Sequence, residues 1–191
     1  MVFNLPNTLT WLRIALIPLF VAVFYLPDGW VPKHLINIVA TALFALAAIT
    51  DWLDGYLARR MNQTSAFGAF LDPVADKLMV AAALVVLVEF DRANAVVAFI
   101  ILGREIAISA LREWMAHIGA SRSVAVHMLG KLKTVAQMVA IPFLLYDGRL
   151  LGIVDTRFWG TWLMVLAAVL TIWSMVYYLR KAVPEIRAKA Q

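Results

Sequence analysis

The chain has 191 residues, of which 63% are hydrophobic and 15% charged, whereas a soluble globular domain has roughly 45–50% apolar and about 25% charged residues. This composition excludes a water-soluble single domain, a disordered chain and a fibrous repeat, and it predicts an integral membrane protein. The absence of cysteine excludes disulfides, thiol catalysis and cysteine-ligated metals. The net charge of +5 is not gathered into a basic stretch of the nucleic-acid-binding type, so no nucleic-acid partner is expected.

In chain order, a short N-terminal interfacial segment and six apolar stretches predict an all-α bundle of about six transmembrane helices. We expect one domain over residues 1–191, because a bilayer span takes about 20 residues and the spans use up the length. Turn-forming residues separate the stretches, among them Pro27-Asp28-Gly29, Asp91-Arg92 and Asp147-Gly148-Arg149. The predicted spans are 11–27, 33–60, 69–90, 93–117, 127–146 and 158–181, and residues 184–191 are predicted to be a polar tail.

Charged residues interrupt the third and fourth apolar stretches. Asp72, Asp76 and Lys77 lie in the third, and Arg104 and Glu105 lie in the fourth. Charged side chains are costly in lipid and are found facing polar cavities or one another. The sequence therefore predicts a polar site within the membrane.

The distribution of lysine and arginine predicts the orientation of the bundle. With the N-terminus inside and six spans, only Lys33, Arg92, Arg149 and Arg157 of the 17 basic residues lie outside. The positive-inside rule strongly prefers this arrangement. Both termini and the charged site are therefore expected on the cytoplasmic side.

Two aspartate pairs flank the turn that residues 61–65 predict between the second and third spans. Asp51 and Asp54 are three residues apart at the end of the second span, and Asp72 and Asp76 are four apart at the start of the third. Each pair shares a helix face, and the short turn predicts that the two helices are antiparallel neighbours. Clustered carboxylates suit hard divalent cations such as Mg²⁺ or Mn²⁺, and two such ions could clamp a diphosphate.

Two small residues accompany the first pair. Gly55 and Ala58 remove side-chain bulk beside the carboxylates and leave room for a flat ligand group. The alternative to a metal site is a helix hairpin with an acidic, solvated end. Four aspartates at these spacings, among only 12 acidic residues, favour the metal site.

The pattern D-x₂-D-G-x₂-A-R-x₈-G-x₃-D-x₃-D, which runs from Asp51 to Asp76, resembles the signature of the CDP-alcohol phosphotransferase family at every fixed position. The stretches 4–13, 103–114 and 130–137 are similar to one bacterial branch of that family. The resemblance implies transfer of the phosphatidyl group of CDP-diacylglycerol to the primary hydroxyl of sn-glycerol 3-phosphate, with release of CMP. It also implies a homodimer in the bacterial cytoplasmic (inner) membrane.

The resemblance further implies roles for individual residues. Asp51, Asp54, Asp72 and Asp76 would bind two divalent metal ions, Mg²⁺ or Mn²⁺, and Asp76 would also take the proton of the attacking alcohol. The residues implied to contact CDP-diacylglycerol are Asn7, Thr8, Leu9, Thr10, Gly55, Ala58, Arg59, Ser65 and Gly68.

Basic residues from later spans predict a second anion pocket. Arg112, Lys131 and Lys133 are expected at the depth of the aspartates, where they could hold the phosphate of glycerol 3-phosphate. Arg104 is a further candidate, although it could instead form a structural pair with Glu105. The alternative for all four is ordinary snorkelling at the inner interface.

Two other functions compete with this one. The same chemistry could use serine, inositol phosphate or phosphatidylglycerol as the acceptor. A cation-binding membrane transporter would also need carboxylates, but it would distribute its charges on both sides of the membrane midplane. Here the charges cluster toward the inner side, which disfavours a transporter.

Overall fold

The computed structural model describes residues 5–61, 66–117 and 128–189. Its description of side chains leaves out 5–7, 9, 52, 54–61, 66–70, 128–131, 181, 182 and 184–189. Six helices account for most of the described chain, and a two-residue antiparallel ladder joins the last two. The elements are α1 (Leu5–Phe24), α2 (Lys33–Met61), α3 (Ala66–Glu89), α4 (Ala95–His117), α5 (Met128–Tyr146), β1 (Arg149–Leu150), β2 (Val154–Asp155) and α6 (Thr156–Lys189).

Local capping chemistry sets several of these boundaries. At the start of α4, Asn94 Oδ1 accepts a hydrogen bond from the Val96 amide (2.9 Å). At the start of α6, Asp155 Oδ1 accepts one from the Phe158 amide (3.0 Å). Such side-chain acceptors satisfy amides that have no partner in the first helical turn. Asp91 and Asp147 adopt positive φ angles of 54° and 44° just past α3 and α5. Aspartate tolerates this conformation, which ends a helix.

The helices alternate in direction and share one large apolar core, and Ile108, Met115 and Tyr178 form a second, smaller cluster between α4 and α6. α1 packs against α2 and α3, α5 packs against α2 and α6, and α4 packs against α3 and α6. α2 and α3 contact each other as predicted, but α1 packs more extensively against each of them. The core contains fully buried side chains from α1, α2, α3 and α5, including Phe20, Phe44, Leu84 and Ile141.

The two ends of the bundle differ in their polar residues. We call the end that carries Asp51, Asp72 and Asp76 the aspartate end, and the end that carries the β1–β2 ladder the hairpin end. At the hairpin end, Arg92 Nη1 donates to the Leu145 carbonyl and Nη2 donates to Asn37 Oδ1, both at 2.8 Å. The Asn37 amide in turn donates to the Tyr146 carbonyl (3.2 Å). We call these residues the hairpin-end clasp, since they tie α2, the α3–α4 connection and α5 together.

Two segments of the described chain are long and apolar enough to cross a bilayer, judged by length and composition: Lys33–Asp51 and Thr156–Arg180. Two shorter apolar segments, Thr10–Phe24 and Leu132–Tyr146, lie in α1 and α5. α3 and α4 contain the charged residues that interrupt their apolar sequence. Each of the six predicted apolar stretches overlaps one of the six helices.

Both chain ends are more helical than the sequence predicts. Residues 5–10 belong to α1 and do not form a separate segment, because Pro6 stands in the first turn, where a helix tolerates proline. α6 continues beyond residue 184 to Lys189, where a polar tail was expected. The β1–β2 ladder was also not predicted from sequence; Leu151 and Gly152 turn it with positive φ angles of 53° and 73°.

Candidate functional site

The first turns of α1 contact both aspartate-bearing helices. Arg13 Nη1 lies 2.6 Å from Asp51 Oδ1 of α2, and the Arg13 side chain is 1% exposed. One turn earlier, the buried Thr10 hydroxyl donates to Asp72 Oδ1 of α3 at 2.6 Å. α1 therefore bridges the two helices that carry the aspartate motif.

A cavity of about 310 Å³ opens beside these contacts at the aspartate end. Asp51 of α2 and Asp76 of α3 both line it, as the motif spacing predicts for side chains on facing helices. Lys77 of α3, Glu105 of α4 and the polar residues Thr134 and Gln137 of α5 complete its polar wall. The structure thus brings one aspartate from each predicted pair to a single cavity that four helices form.

Larger cavities lie at the hairpin end of the described chain, with volumes of about 600 and 460 Å³. Arg92 lines both, and its guanidinium is already engaged by the clasp. Asp28 and Asp147 also line the larger of the two, but neither belongs to the aspartate motif, and Asp147 Oδ2 lies 3.5 Å from Arg92 Nε.

The donor atoms at the aspartate end fit a hard divalent cation in type. Asp51, Asp72 and Asp76 offer only carboxylate oxygens, the ligands that Mg²⁺ and Mn²⁺ prefer. Among the described side chains, no three acidic or histidine residues are gathered closely enough to hold a metal ion. Asp51 and Asp72 instead contact Arg13 and Thr10. The fourth predicted ligand, Asp54, lies outside the described side chains.

The buried cations of α4 and α5 converge on Glu105. The Lys133 ammonium is hydrogen-bonded to Glu105 Oε1, and Arg104 Nη1 lies 3.6 Å from the same oxygen. Arg104 Nη2 also donates to the Ser174 hydroxyl of α6 (3.2 Å). The predicted pair of Arg104 with Glu105 is therefore present, and Lys133 joins it.

The remaining predicted site residues are distributed between described and undescribed regions. Arg112 is exposed, and its guanidinium lies 5.6 Å from the centre of the Tyr178 ring. Thr8 is exposed in α1, and Thr10 is bonded to Asp72 as described above. The side chains of the following residues lie outside the description: Asn7, Leu9, Asp54, Gly55, Ala58, Arg59, Ser65, Gly68 and Lys131.

Sequence reasoning gave no site role to Arg13, Glu105, Thr134 or Gln137. Arg13 and Glu105 carried a usable signal, because each is a charged residue within an apolar stretch and needs a partner there. Thr134 and Gln137 carried a weaker one, since they lie three residues apart and so share one face of α5.

Comparison with known proteins adds to this geometry. Residues 3–173 match the family described as CDP-alcohol phosphatidyltransferase. The chain belongs to this family. The resemblance inferred from the aspartate motif is therefore confirmed, and the match extends far beyond the motif.

Curated relatives of this CDP-alcohol phosphatidyltransferase cover nearly its whole length. A protein of Salmonella typhimurium is 51% identical over 184 residues, which are 95% of this chain and 96% of the relative. Proteins of Escherichia coli strain K12 and Shigella flexneri serotype 5b are 50% identical, again over 95% of this chain and 96% of each relative. All three are named CDP-diacylglycerol–glycerol-3-phosphate 3-phosphatidyltransferase.

Proposed function

We propose that this chain transfers the phosphatidyl group of CDP-diacylglycerol to the primary hydroxyl of sn-glycerol 3-phosphate, forming phosphatidylglycerophosphate and CMP. The observation that carries the proposal is the single cavity lined by Asp51 and Asp76, one aspartate from each half of the family motif. Identity of 50–51% over 95% of the chain to relatives named for this reaction supports the choice of acceptor.

The proposed reaction is one displacement at phosphorus. The acceptor oxygen bonds to the phosphorus that carries diacylglycerol, the bond from that phosphorus to the CMP oxygen breaks, and Asp76 takes the hydroxyl proton. A primary hydroxyl is a weak nucleophile at neutral pH and needs such a base within hydrogen-bond reach. Asp51, Asp54, Asp72 and Asp76 would hold two divalent ions, Mg²⁺ or Mn²⁺. When bound, these ions would neutralise the charge of the diphosphate.

Donor and acceptor would approach this cavity from different helices. CDP-diacylglycerol would contact the stretch 7–10 of α1 and the motif residues Gly55, Ala58, Arg59, Ser65 and Gly68. The acceptor phosphate would be attracted by the positive charges of Arg104, Arg112, Lys131 and Lys133 on α4 and α5. Buried Lys133 and Arg104 already lie against a residue of the cavity wall, which supports this assignment.

The setting we propose is a single-domain, six-span bundle in the bacterial cytoplasmic membrane, with both termini and the aspartate end on the cytoplasmic side. Large apolar side chains exposed on the outside of the helices support it. Phe99 and Val96 of α4 are 76% and 65% exposed, and Trp173 of α6 is 62% exposed. Many exposed large apolar side chains are typical of a surface that faces lipid or another protein. A homodimer through membrane helices would cover part of it.

The test is acceptor-dependent CMP release by the purified protein in detergent, with CDP-diacylglycerol and Mg²⁺. We expect CMP with sn-glycerol 3-phosphate and at least tenfold less with serine, inositol phosphate or phosphatidylglycerol. A preference for one of those alcohols would replace the acceptor but keep the chemistry. No CMP release with any alcohol would refute the proposed transfer.

A further inference from the structure

Glu105 is a cavity residue to which the proposed reaction gives no role. It lies on α4, its side chain is 26% exposed, and it lines the same cavity as Asp51 and Asp76. The reacting end of an acceptor that reaches Asp76 must therefore pass beside a carboxylate that belongs to neither aspartate pair.

The two cations that contact Glu105 lie behind it. The side chains of Lys133 and Arg104 are 4% and 6% exposed, and neither residue lines the cavity. Both approach the same oxygen, Oε1. Among the described residues, none donates a hydrogen bond to Oε2. The carboxylate is therefore fixed from behind through one oxygen, and its second oxygen remains able to accept hydrogen bonds.

The neighbouring wall of the cavity has the same hydrogen-bonding character. Thr134 and Gln137 lie three residues apart on α5 and line the cavity beside Glu105. A carboxylate, a hydroxyl and a carboxamide suit the hydroxyl groups of a ligand. This carboxylate would repel a phosphate dianion, which Lys77 of the same cavity would attract instead.

We propose that Glu105 binds a non-reacting hydroxyl of the acceptor and thereby selects a polyol, and that Lys133 and Arg104 are positioning residues that orient its carboxylate. This inference rests on the proposed function, since it names the selectivity of the same site. It replaces part of the phosphate assignment proposed above: Lys133 and Arg104 act on the acceptor through Glu105, and of those four basic residues only Arg112 and Lys131 remain for its phosphate.

The first test uses the unmodified protein and two acceptors. sn-Glycerol 3-phosphate is compared with 3-hydroxypropyl phosphate, which keeps the phosphate and the primary hydroxyl but lacks the middle hydroxyl. We expect kcat/KM to be at least about 100-fold higher for the polyol, because a site built to bind a hydroxyl rejects an analogue without it. Equal use of both acceptors overturns the inference and leaves the proposed function intact. CMP release with neither would refute the proposed function itself.

The second test assigns the discrimination to Glu105. Glu105→Gln should lower kcat/KM for sn-glycerol 3-phosphate at least about tenfold. It should change kcat/KM for 3-hydroxypropyl phosphate by less than about threefold and leave the KM for CDP-diacylglycerol unchanged. Glu89→Gln, which removes an exposed carboxylate at the far end of α3, is the control and should change neither value. An equal loss with both acceptors would mean that Glu105 is only structural.

The third test addresses the positioning residues. Lys133→Met should reproduce the selective loss seen in Glu105→Gln, and the double variant should lose no more than either single one, because the two residues act as one unit. If Lys133→Met weakens both acceptors equally, Lys133 binds the phosphate directly and the positioning role is wrong. Should Glu105→Gln fail to fold, Glu105→Asp, which keeps the charge but withdraws the carboxylate, should show the same selective loss.

Discussion

The three described aspartates of the motif have different surroundings, although the family motif treats them alike. Asp51 is paired with buried Arg13, and Asp72 accepts a hydrogen bond from buried Thr10. Asp76 has no hydrogen bond or ion pair to any described residue and is exposed toward the cavity. A base must be able to approach its substrate, and Asp76 is the aspartate of the three that has no competing partner.

These surroundings separate the effects of two substitutions. Asp76→Asn should lower kcat at least about 100-fold, the effect of losing a general base, and should leave the melting temperature nearly unchanged. Asp51→Asn should lower both kcat and the melting temperature, because it also deprives the buried Arg13 guanidinium of a counter-charge. CMP release and thermal unfolding of the purified variants measure the two effects.

Asp28→Asn, at the exposed connection between α1 and α2, is the control for removal of one carboxylate. Its activity and melting temperature should match those of the unmodified chain. Near-normal turnover of Asp76→Asn would contradict the role of this residue as the base.

At the scale of elements, α6 approaches α5 closely at Gly160. A methyl group at this position would lie 2.8 Å from Leu144 Cγ and 3.1 Å from Phe143 Cβ. A real carbon cannot occupy that space unless α5 or its side chains shift. Small residues of this kind allow helices to pack closely, and here glycine sets the distance between the two helices.

Gly160→Ala should therefore destabilise the bundle, and Gly103→Ala on α4 is the matched control because its new methyl group meets no atom within 4 Å. Both changes gain the same intrinsic helix propensity, so their difference isolates packing. We expect that difference to be about 2 kcal/mol, which corresponds to roughly 4–8 °C in melting temperature. Equal melting temperatures for the two variants would show that α5 and α6 can separate freely.

The elements were more predictable from sequence than the contacts between them. Apolar runs and turn residues such as Asp91 and Asp147 place six helices with boundaries close to those observed. The spacing of Asp51 and Asp76 also predicts that they meet, since helix periodicity fixes which residues share a face. The pairs Arg13–Asp51 and Lys133–Glu105 depend on how each helix is rotated. Helices that are apolar on nearly every side carry little pattern that determines this rotation.

At the scale of the whole molecule, the hairpin-end clasp joins helices that are far apart in sequence. Arg92 contacts Leu145 and Asn37, lies over the Phe24 ring at 5.7 Å, and has Asp147 Oδ2 3.5 Å from its Nε. Burial lowers the pKa of the Arg92 guanidinium, and Asp147 opposes that shift. Arginine nevertheless remains protonated in proteins, so this charge fastens the bundle at the end opposite the aspartates.

Arg92→Ala should therefore destabilise the chain without a selective effect on either substrate. The substitution removes the guanidinium that donates to both the Leu145 carbonyl and the Asn37 carboxamide oxygen. We expect this loss to lower the free energy of unfolding by about 3 kcal/mol, which corresponds to roughly 6–12 °C in melting temperature. Thermal unfolding and the KM for donor and acceptor are the measurements. Arg149→Ala, an exposed residue of β1, is the control, and a selective change in one KM would contradict a purely structural clasp.

The clasp also has a consequence for the order in which the chain assembles during synthesis. Arg92 and Asn37 are 53 and 109 residues ahead of their partners Leu145 and Tyr146. At about 5–20 residues per second, roughly 3–10 s separate the emergence of Arg92 from that of Leu145. During this interval the first three helices are complete, but the polar groups that will fasten them have no partner from α5. Closure of the bundle at this end therefore waits for the fifth helix, and in a nascent chain halted before Leu145 the pair of Arg92 and Asn37 still lacks both of its carbonyl partners from α5.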